Sequence, residues 1–178
     1  MAPLLWAFAL LLTAPQVARA PFVATPPDVV DRMLVLANVS SVDVVYDLGC
    51  GDGRIVIAAA RKFGARGVGV DIDPARIAEA RRNAAIAKVE HLVTFRVEDA
   101  LATDVSGASV VALYLLAAQN VALRPALMRQ LRPGSRVVSH NFAMGDWNPD
   151  VVDTFMSADG ESRTLYLWRI SPGPSPAR

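Results

Sequence analysis

The run VVYDLGCGDGRIVIAAA, residues 44–60, restricts the fold more than any other part of this chain. It reads as an apolar strand that ends in an acid, then glycine at positions 49, 51 and 53, then a helix. Glycine reaches positive φ and lets backbone approach another group closely, but it weakens regular structure. Three of them at one strand-to-helix corner are a costly way to make an ordinary turn. A ligand held against the backbone is the better reason for them.

The remainder repeats the strand–helix alternation. From Val23 on, short β-branched runs alternate with helical ones, which predicts βα units on a parallel sheet. TPPDVVDRMLVLA predicts a first helix, with Pro26 and Pro27 at its start and Val30, Met33, Leu34 and Ala37 on its buried face. Strand one is expected at 44–46 and a helix at 54–63, with Gly64 as its stop. RGVGVDI is a second strand, after which Asp73 caps a helix opening at Pro74. HLVTFRV, SVVALYLL and SRVVSHN supply further strands, with a helix at 118–131 before the last. VVDTFM, the turn SADGE and SRTLYLWRI predict a hairpin with Asp159-Gly160 at its tip. The expected architecture is α/β, a mainly parallel sheet closed by a C-terminal antiparallel hairpin. The chain divides into a leader at 1–20, one domain at 21–170 and a Pro/Ser-rich tail at 171–178 that is not expected to fold.

A chain of 178 residues with 53% hydrophobic and 20% charged residues fits one globular domain. Its net charge of +1 gives no overall field to recruit nucleic acid. Arg124, Arg129, Arg132 and Arg136 form a local basic stretch, read as a solvated helix face. One cysteine, Cys50, rules out a disulfide within the chain, and the two histidines, His91 and His140, lack metal-ligand spacing. No metal is expected.

The leader MAPLLWAFALLLTAPQVARA carries an apolar run at 4–14 and the small-residue ending Ala18-Arg19-Ala20. That outlines a secretory signal, but no Lys or Arg precedes the run and Pro21 would follow the cleaved bond. The run is also short against the roughly 20 residues of a spanning helix. A cleaved signal, an uncleaved anchor and a mis-assigned start all fit. Arg19 and Arg32, on the carboxyl side, favour membrane association with the domain facing the cytosol. Export after cleavage is the alternative.

Open α/β sheets bind ligands at the carboxyl ends of their strands. Asp47 ends strand one, Asp71 strand two, and Asp99 follows strand three in VEDAL, so three carboxylates converge on one crevice. A dinucleotide fits poorly. Its fingerprint wants glycine at 54, where Arg54 stands, and its pyrophosphate disfavours acids. A ligand with a positive centre, an amino group and a ribose diol suits the acids better, and S-adenosylmethionine has all three.

YDLGCGDGR with GVDIDP resembles the first two motifs of the class I S-adenosylmethionine-dependent methyltransferases, and VEDAL resembles the next. The resemblance implies a Rossmann-like fold. It also implies that the backbone of Gly49, Gly51 and Gly53 lies along the methionine part of the donor, with Cys50 in the same corner. Asp47 matches the acid that holds the ammonium group, Asp71 the one on the ribose hydroxyls with Ile72 beside it, and Asp99 the one at the adenine amino group. The Cys50 thiol itself reads as small-residue packing.

PFVATPPDVVDRMLVLA, YDLGCGDGRIVI and VVSHNFAMGDW resemble a narrower group, the ATP synthase c-subunit lysine methyltransferases and their prokaryotic relatives. This implies a protein lysine as acceptor. It also matches Thr25 and Pro26 to an element that closes over the donor, although a helix cap accounts for Thr25 equally well. No Asn- or Asp-Pro-Pro-Tyr tetrapeptide follows strand four, which counts against a planar amide or base nitrogen. Tyr114, His140, Asn141 and Trp147 are the other candidates to line the acceptor channel. For His140, a loop imidazole bonded to backbone is the plainer expectation.

Overall fold

The computed structural model describes residues 23–171; the leader, and the tail from 172 on, lie outside the described residues. Helix α1 is Pro27–Leu36, entered through Pro26 and Pro27, whose fixed φ suits a helix start. It buries Val29, Val30, Met33 and Leu34. Strand β1 is Val44–Leu48, and α2 is Arg54–Phe63, ended by Gly64 at φ 68. Strand β2 is Arg66–Asp71 and α3 is Pro74–Ile86, capped by Asp73, whose side chain accepts from the Ala75 amide at 2.8 Å. Next come β3, Val93–Val97, and β4, Val110–Leu113. Helix α4, Ala117–Gln130, leads to β5, Arg136–His140. The hairpin is β6, Val151–Met156, and β7, Ser162–Arg169.

These strands form one seven-stranded sheet in the order β3-β2-β1-β4-β5-β7-β6. β1 to β5 run parallel; β7 pairs antiparallel with both β5 and β6. The hairpin therefore closes the sheet as expected, with its second strand inserted and its first strand left at the edge. Strand one extends two residues beyond the expected 44–46, so Asp47 is a strand residue, opposite Gly69 of β2 and Ala112 of β4. The chain leaves β1 towards β2 on one side and comes back to β4 on the other. That reversal opens a crevice at the carboxyl ends of β1 and β4.

Both faces of the sheet are covered, which explains why β4 is buried at every residue. One face packs α1, α2 and α3 through Met33, Leu34, Val56 and Ile77. The other packs α4 through Leu123 and Leu127 against Leu113 and Trp168.

One buried polar knot has no counterpart among the expectations from sequence. Asp43, 3% exposed, accepts from the Ser40 amide at 2.8 Å, Ser109 Oγ at 2.7 Å and Arg136 Nη2 at 2.6 Å. It fastens the amino ends of β1, β4 and β5 together. Arg136 is thus not part of a solvated helix face, and Arg124 pairs with Asp146, so the basic stretch is broken up.

Breaking a buried ion pair strands the remaining charge. Asp43→Ala is therefore expected to cost about 3 kcal/mol, the low end for such pairs because Arg136 keeps some exposure. Equilibrium denaturation should register this loss. Cofactor affinity should stay near wild type, since the knot lies at the other end of the sheet.

Candidate functional site

At the carboxyl ends of β1, β2 and β4 lies a crevice of about 230 Å³. β1 and the corner after it contribute Asp47, Gly49 and Cys50; β2 and the residues after it contribute Asp71 and Ile72. Asp99 comes from beyond β3, Tyr114 and Leu115 from beyond β4, and Thr25 from ahead of α1. The expected acids thus meet in one place.

The corner itself is more tightly built than a ligand alone requires. Gly49, Gly51 and Gly53 have φ of 83°, 52° and 80°, in the left-handed region that favours glycine. A Cβ on Gly49 would lie 2.7 Å from Leu115, and one on Gly53 would lie 2.7 Å from Phe95 and 2.9 Å from Ala80. The expectation that a ligand explains all three is corrected at Gly53, where the neighbouring elements already forbid a side chain. The Gly49 and Cys50 amides donate to the Val70 carbonyl at 2.9 and 2.8 Å, and the Gly51 amide donates to Asp71 Oδ2 at 2.9 Å. Asp71 Oδ1 accepts from the Asp73 amide at 2.9 Å. Its carboxylate is thereby fixed, with lone pairs left over for further donors.

Asp47 is 2% exposed, and burial pushes its carboxyl up to about 8, with the charges of Asp71 and Asp52 pushing the same way. Asp99 caps the short turn Ala100–Ala102 and accepts from the Leu101 amide at 2.9 Å. Burial, then the neighbouring carboxylates, raise the Cys50 thiol far above its ordinary range, so it is an inert packing group. Thr25 is 4% exposed and does not cap α1, whose N-cap is Pro26.

On the acceptor side the outcome is mixed. Tyr114 reaches the crevice and stacks on His140, with ring centroids 4.0 Å apart. His140 is the last residue of β5, fully buried, and neither ring nitrogen has a hydrogen-bond partner. This corrects the loop histidine bonded to backbone. Burial, aided by the charge of Arg163, pushes its pKa down to about 4, so the imidazole is neutral at working pH. His140, Asn141 and Trp147 are not among the crevice walls; His140 lies behind Tyr114. Asn141 Oδ1 accepts from the Thr164 amide at 3.0 Å, and the Trp147 carbonyl accepts from Trp168 Nε1 at 2.8 Å. Both hold the hairpin to the sheet.

Sequence reasoning misses Asp52 and Arg54, which also line the crevice. Arg54 Nη2 pairs with Asp52 Oδ2 at 2.6 Å, and its Nη1 donates to the Thr25 carbonyl at 2.8 Å. The available signal is an acid and a base flanking Gly53 in GDGR, where Arg54 otherwise stands out only for breaking a dinucleotide fingerprint.

The family model of the ANTKMT methyltransferase domain matches residues 47–151. The chain belongs to that methyltransferase family. A protein-lysine N-methyltransferase of Saccharolobus islandicus (strain REY15A) is 44% identical over 156 residues, 86% of this chain and 96% of its own. An ATP synthase c-subunit lysine N-methyltransferase of Xenopus laevis is 30% identical over 148 residues, 82% of this chain and 65% of its own. Among solved structures, an RNA methyltransferase from Salinibacter ruber in complex with S-adenosyl-L-homocysteine has a TM-score of 0.80 at 52% identity. It covers 87% of this chain and 98% of its own. The protein is an S-adenosylmethionine-dependent methyltransferase with a Rossmann-like class I fold. The crevice fits that donor on its own terms, since a buried carboxyl without a cation suits an ammonium group, and fixed Asp71 suits a diol.

If Asp47 takes the donor's ammonium group, its raised carboxyl makes the donor's affinity depend on pH. Free enzyme holds a proton there near neutrality, and an arriving ammonium favours its release. Affinity should therefore rise from about pH 6 to about pH 7.5, below the α-amino range near 7.7. Calorimetry in buffers of different ionisation heat should detect the released proton, and Asp47→Asn should abolish it. A raised carboxyl stabilises the fold while protonated, and that contribution is lost as pH rises through about 8. His140 acts oppositely, its contribution complete above 6.5 and lost as pH falls towards about 4. Between 6.5 and 8 only the Asp47 loss remains. The melting temperature of ligand-free wild type should fall there, and that of Asp47→Asn should not.

Proposed function

We propose that this methyltransferase modifies the side-chain amine of a lysine in a protein. What carries the reading is its likeness to a protein-lysine N-methyltransferase along 96% of that relative's length. The ATP synthase c-subunit lysine N-methyltransferases support the same acceptor. RNA is the second reading, favoured by the name of the Salinibacter relative. Affinity for RNA rests largely on Lys and Arg against phosphate. Here the crevice is lined by Asp47, Asp52, Asp71, Asp73 and Asp99, and its arginines Arg54 and Arg76 pair with Asp52 and Glu79. Arg124 and Arg136 are engaged by Asp146 and Asp43. That favours a cationic side chain over a polyanion.

In this reading Asp47 holds the donor's ammonium group, Asp71 its ribose hydroxyls and Asp99 the adenine amino group. Ile72, 42% exposed, offers the adenine an apolar face. Gly49, Cys50 and Gly51 run beside the methionine part. The donor supplies an electrophilic methyl on a sulfonium. Tyr114 and Leu115 wall the approach, so alignment of the two reactants is the main catalytic contribution. A lysine, with an unperturbed pKa near 10.4, must first lose a proton. Apolar walls lower that value by desolvation, after which solvent can take the proton. The amine's lone pair then bonds the methyl carbon as the carbon–sulfur bond breaks. His140 is too weak a base for this step.

The apolar run at 4–14, with Arg19 after it, supports an enzyme held at a membrane and facing the cytosol. Among the described residues no helix is long and apolar enough to cross a membrane. A C-terminal reporter that fluoresces only in the cytosol should stay bright; a dark reporter with a shortened N-terminus would establish export instead.

To test the acceptor, purified enzyme and labelled S-adenosylmethionine are incubated with a membrane-protein fraction and, separately, with total RNA. Mass spectrometry should place the label on lysine. Label on RNA alone would overturn the lysine reading and leave the methyltransferase intact. The rate should climb with pH through the lysine's titration with no limb from His140. Tyr114→Ala should lower kcat more than His140→Phe, which keeps a stacked ring beneath Tyr114.

A further inference from the structure

The segment ahead of α1 is irregular, yet it forms a wall of the crevice. Val23, Ala24 and Thr25 belong to no helix or strand, and all three line the cofactor site. Val23 is 58% exposed and Thr25 only 4%, so the segment runs from solvent down into the wall of the crevice. Irregular backbone in such a position needs a partner for its polar groups.

Arg54 supplies one. Its Nη1 donates to the Thr25 carbonyl at 2.8 Å. Its Nε donates to both Asp52 oxygens at 2.9 and 3.1 Å, and its Nη2 to Oδ2 at 2.6 Å. One planar fork therefore joins the segment to the glycine corner. A lysine ammonium, a compact point charge, cannot hold both partners in one plane. The helix dipole does not ask for this residue, because Arg54 stands in the first turn of α2, where a cation is disfavoured. Burial raises the Asp52 carboxyl, but the hydrogen bonds and charge of Arg54 outweigh it and hold it below the usual range. The pair stays ionised and intact at working pH.

We propose that Arg54 is a positioning residue for the methyl donor: by bridging Asp52 to the Thr25 carbonyl it latches the segment 23–25 across the crevice and slows the donor's escape. Coupling of this kind is reciprocal. A latched segment strengthens donor binding, and a bound donor tightens the segment by the same factor. The proposal rests on the identity of the donor and not on that of the acceptor, so it stands or falls apart from the lysine reading.

The test uses the full-length enzyme with S-adenosylmethionine and S-adenosylhomocysteine as probes. Arg54→Met should raise the dissociation rate of both about 10-fold, the equivalent of about 1.4 kcal/mol. Arg54→Lys, which keeps the charge, should fail to restore it. The double variant Asp52→Asn with Arg54→Met should match Arg54→Met, because the defect is the lost bridge and not an unpaired Asp52. In wild type, adding either probe should slow hydrogen exchange at the amides of Val23, Ala24 and Thr25, and Arg54→Met should lose that protection. A wild-type dissociation rate in Arg54→Met, or full rescue by lysine or by the double variant, would overturn the latch. So would unchanged exchange at 23–25 when either probe binds wild type, whatever the variants' stability.

Discussion

The hydrogen bond from the Gly51 amide to the Asp71 carboxylate, 2.9 Å long, is the tie on which the rest of the site depends. It joins the corner after β1 to the end of β2, and the Gly49 and Cys50 amides reinforce it on the Val70 carbonyl. A corner turning through three left-handed residues has few ways to be held. Here the neighbouring strand holds it, and the packing of Gly49 against Leu115 and of Gly53 against Phe95 locks it in place. Parallel pairing of β1 with β2 sets Asp47 opposite Gly69, which leaves the buried acid two residues from the carboxylate that organises the corner. The cofactor site is thus a consequence of strand register before it is a set of side chains.

That same register concentrates negative charge. Asp47 faces two further carboxyl groups, Asp71 and Asp52, while the guanidinium of Arg54 is committed to Asp52 and the Thr25 carbonyl. The free protein resolves the conflict by keeping a proton on Asp47. A positively charged ligand group placed beside Asp47 would replace that proton with charge of the right sign. The raised carboxyl of the free protein is the mark of that electrostatic imbalance, and it suits the site to a cationic group.

Local chemistry makes the elements legible in the sequence. Gly64 marks the end of α2, Asp73 and Pro74 the start of α3, and Asp159-Gly160 the tip of the hairpin, because each works through neighbours a few residues away. The three expected acids meet for a similar reason, since strand ends in an open α/β sheet gather at one edge. Partners distant in the chain leave no such mark. Asp43 and Arg136 are 93 residues apart, and Arg54 reaches Thr25 across 29. Nothing near His140 announces that its nitrogens lack partners, and nothing near Asn141 or Trp147 shows that the hairpin claims their polar atoms.

The acids of the crevice and the polar groups packed behind Tyr114 differ in how well they are satisfied. Asp47 apart, the acids of the crevice, Asp71, Asp99 and Asp52, accept defined hydrogen bonds. Beside the carboxyl end of β5, Asn120 donates to Ser139 and Phe142 but its Oδ1 has no partner, and both nitrogens of His140 are unmatched. Each such buried group costs about 1–3 kcal/mol, and a phenylalanine at 140 would fill the same space at less cost. Packing alone therefore does not account for an imidazole stacked beneath Tyr114. Unsatisfied polar atoms in a native core call for a reason, and proteins tolerate them chiefly where function demands it. Here they sit next to Tyr114, which lines the crevice, so the fold gives up stability directly behind one wall of the site.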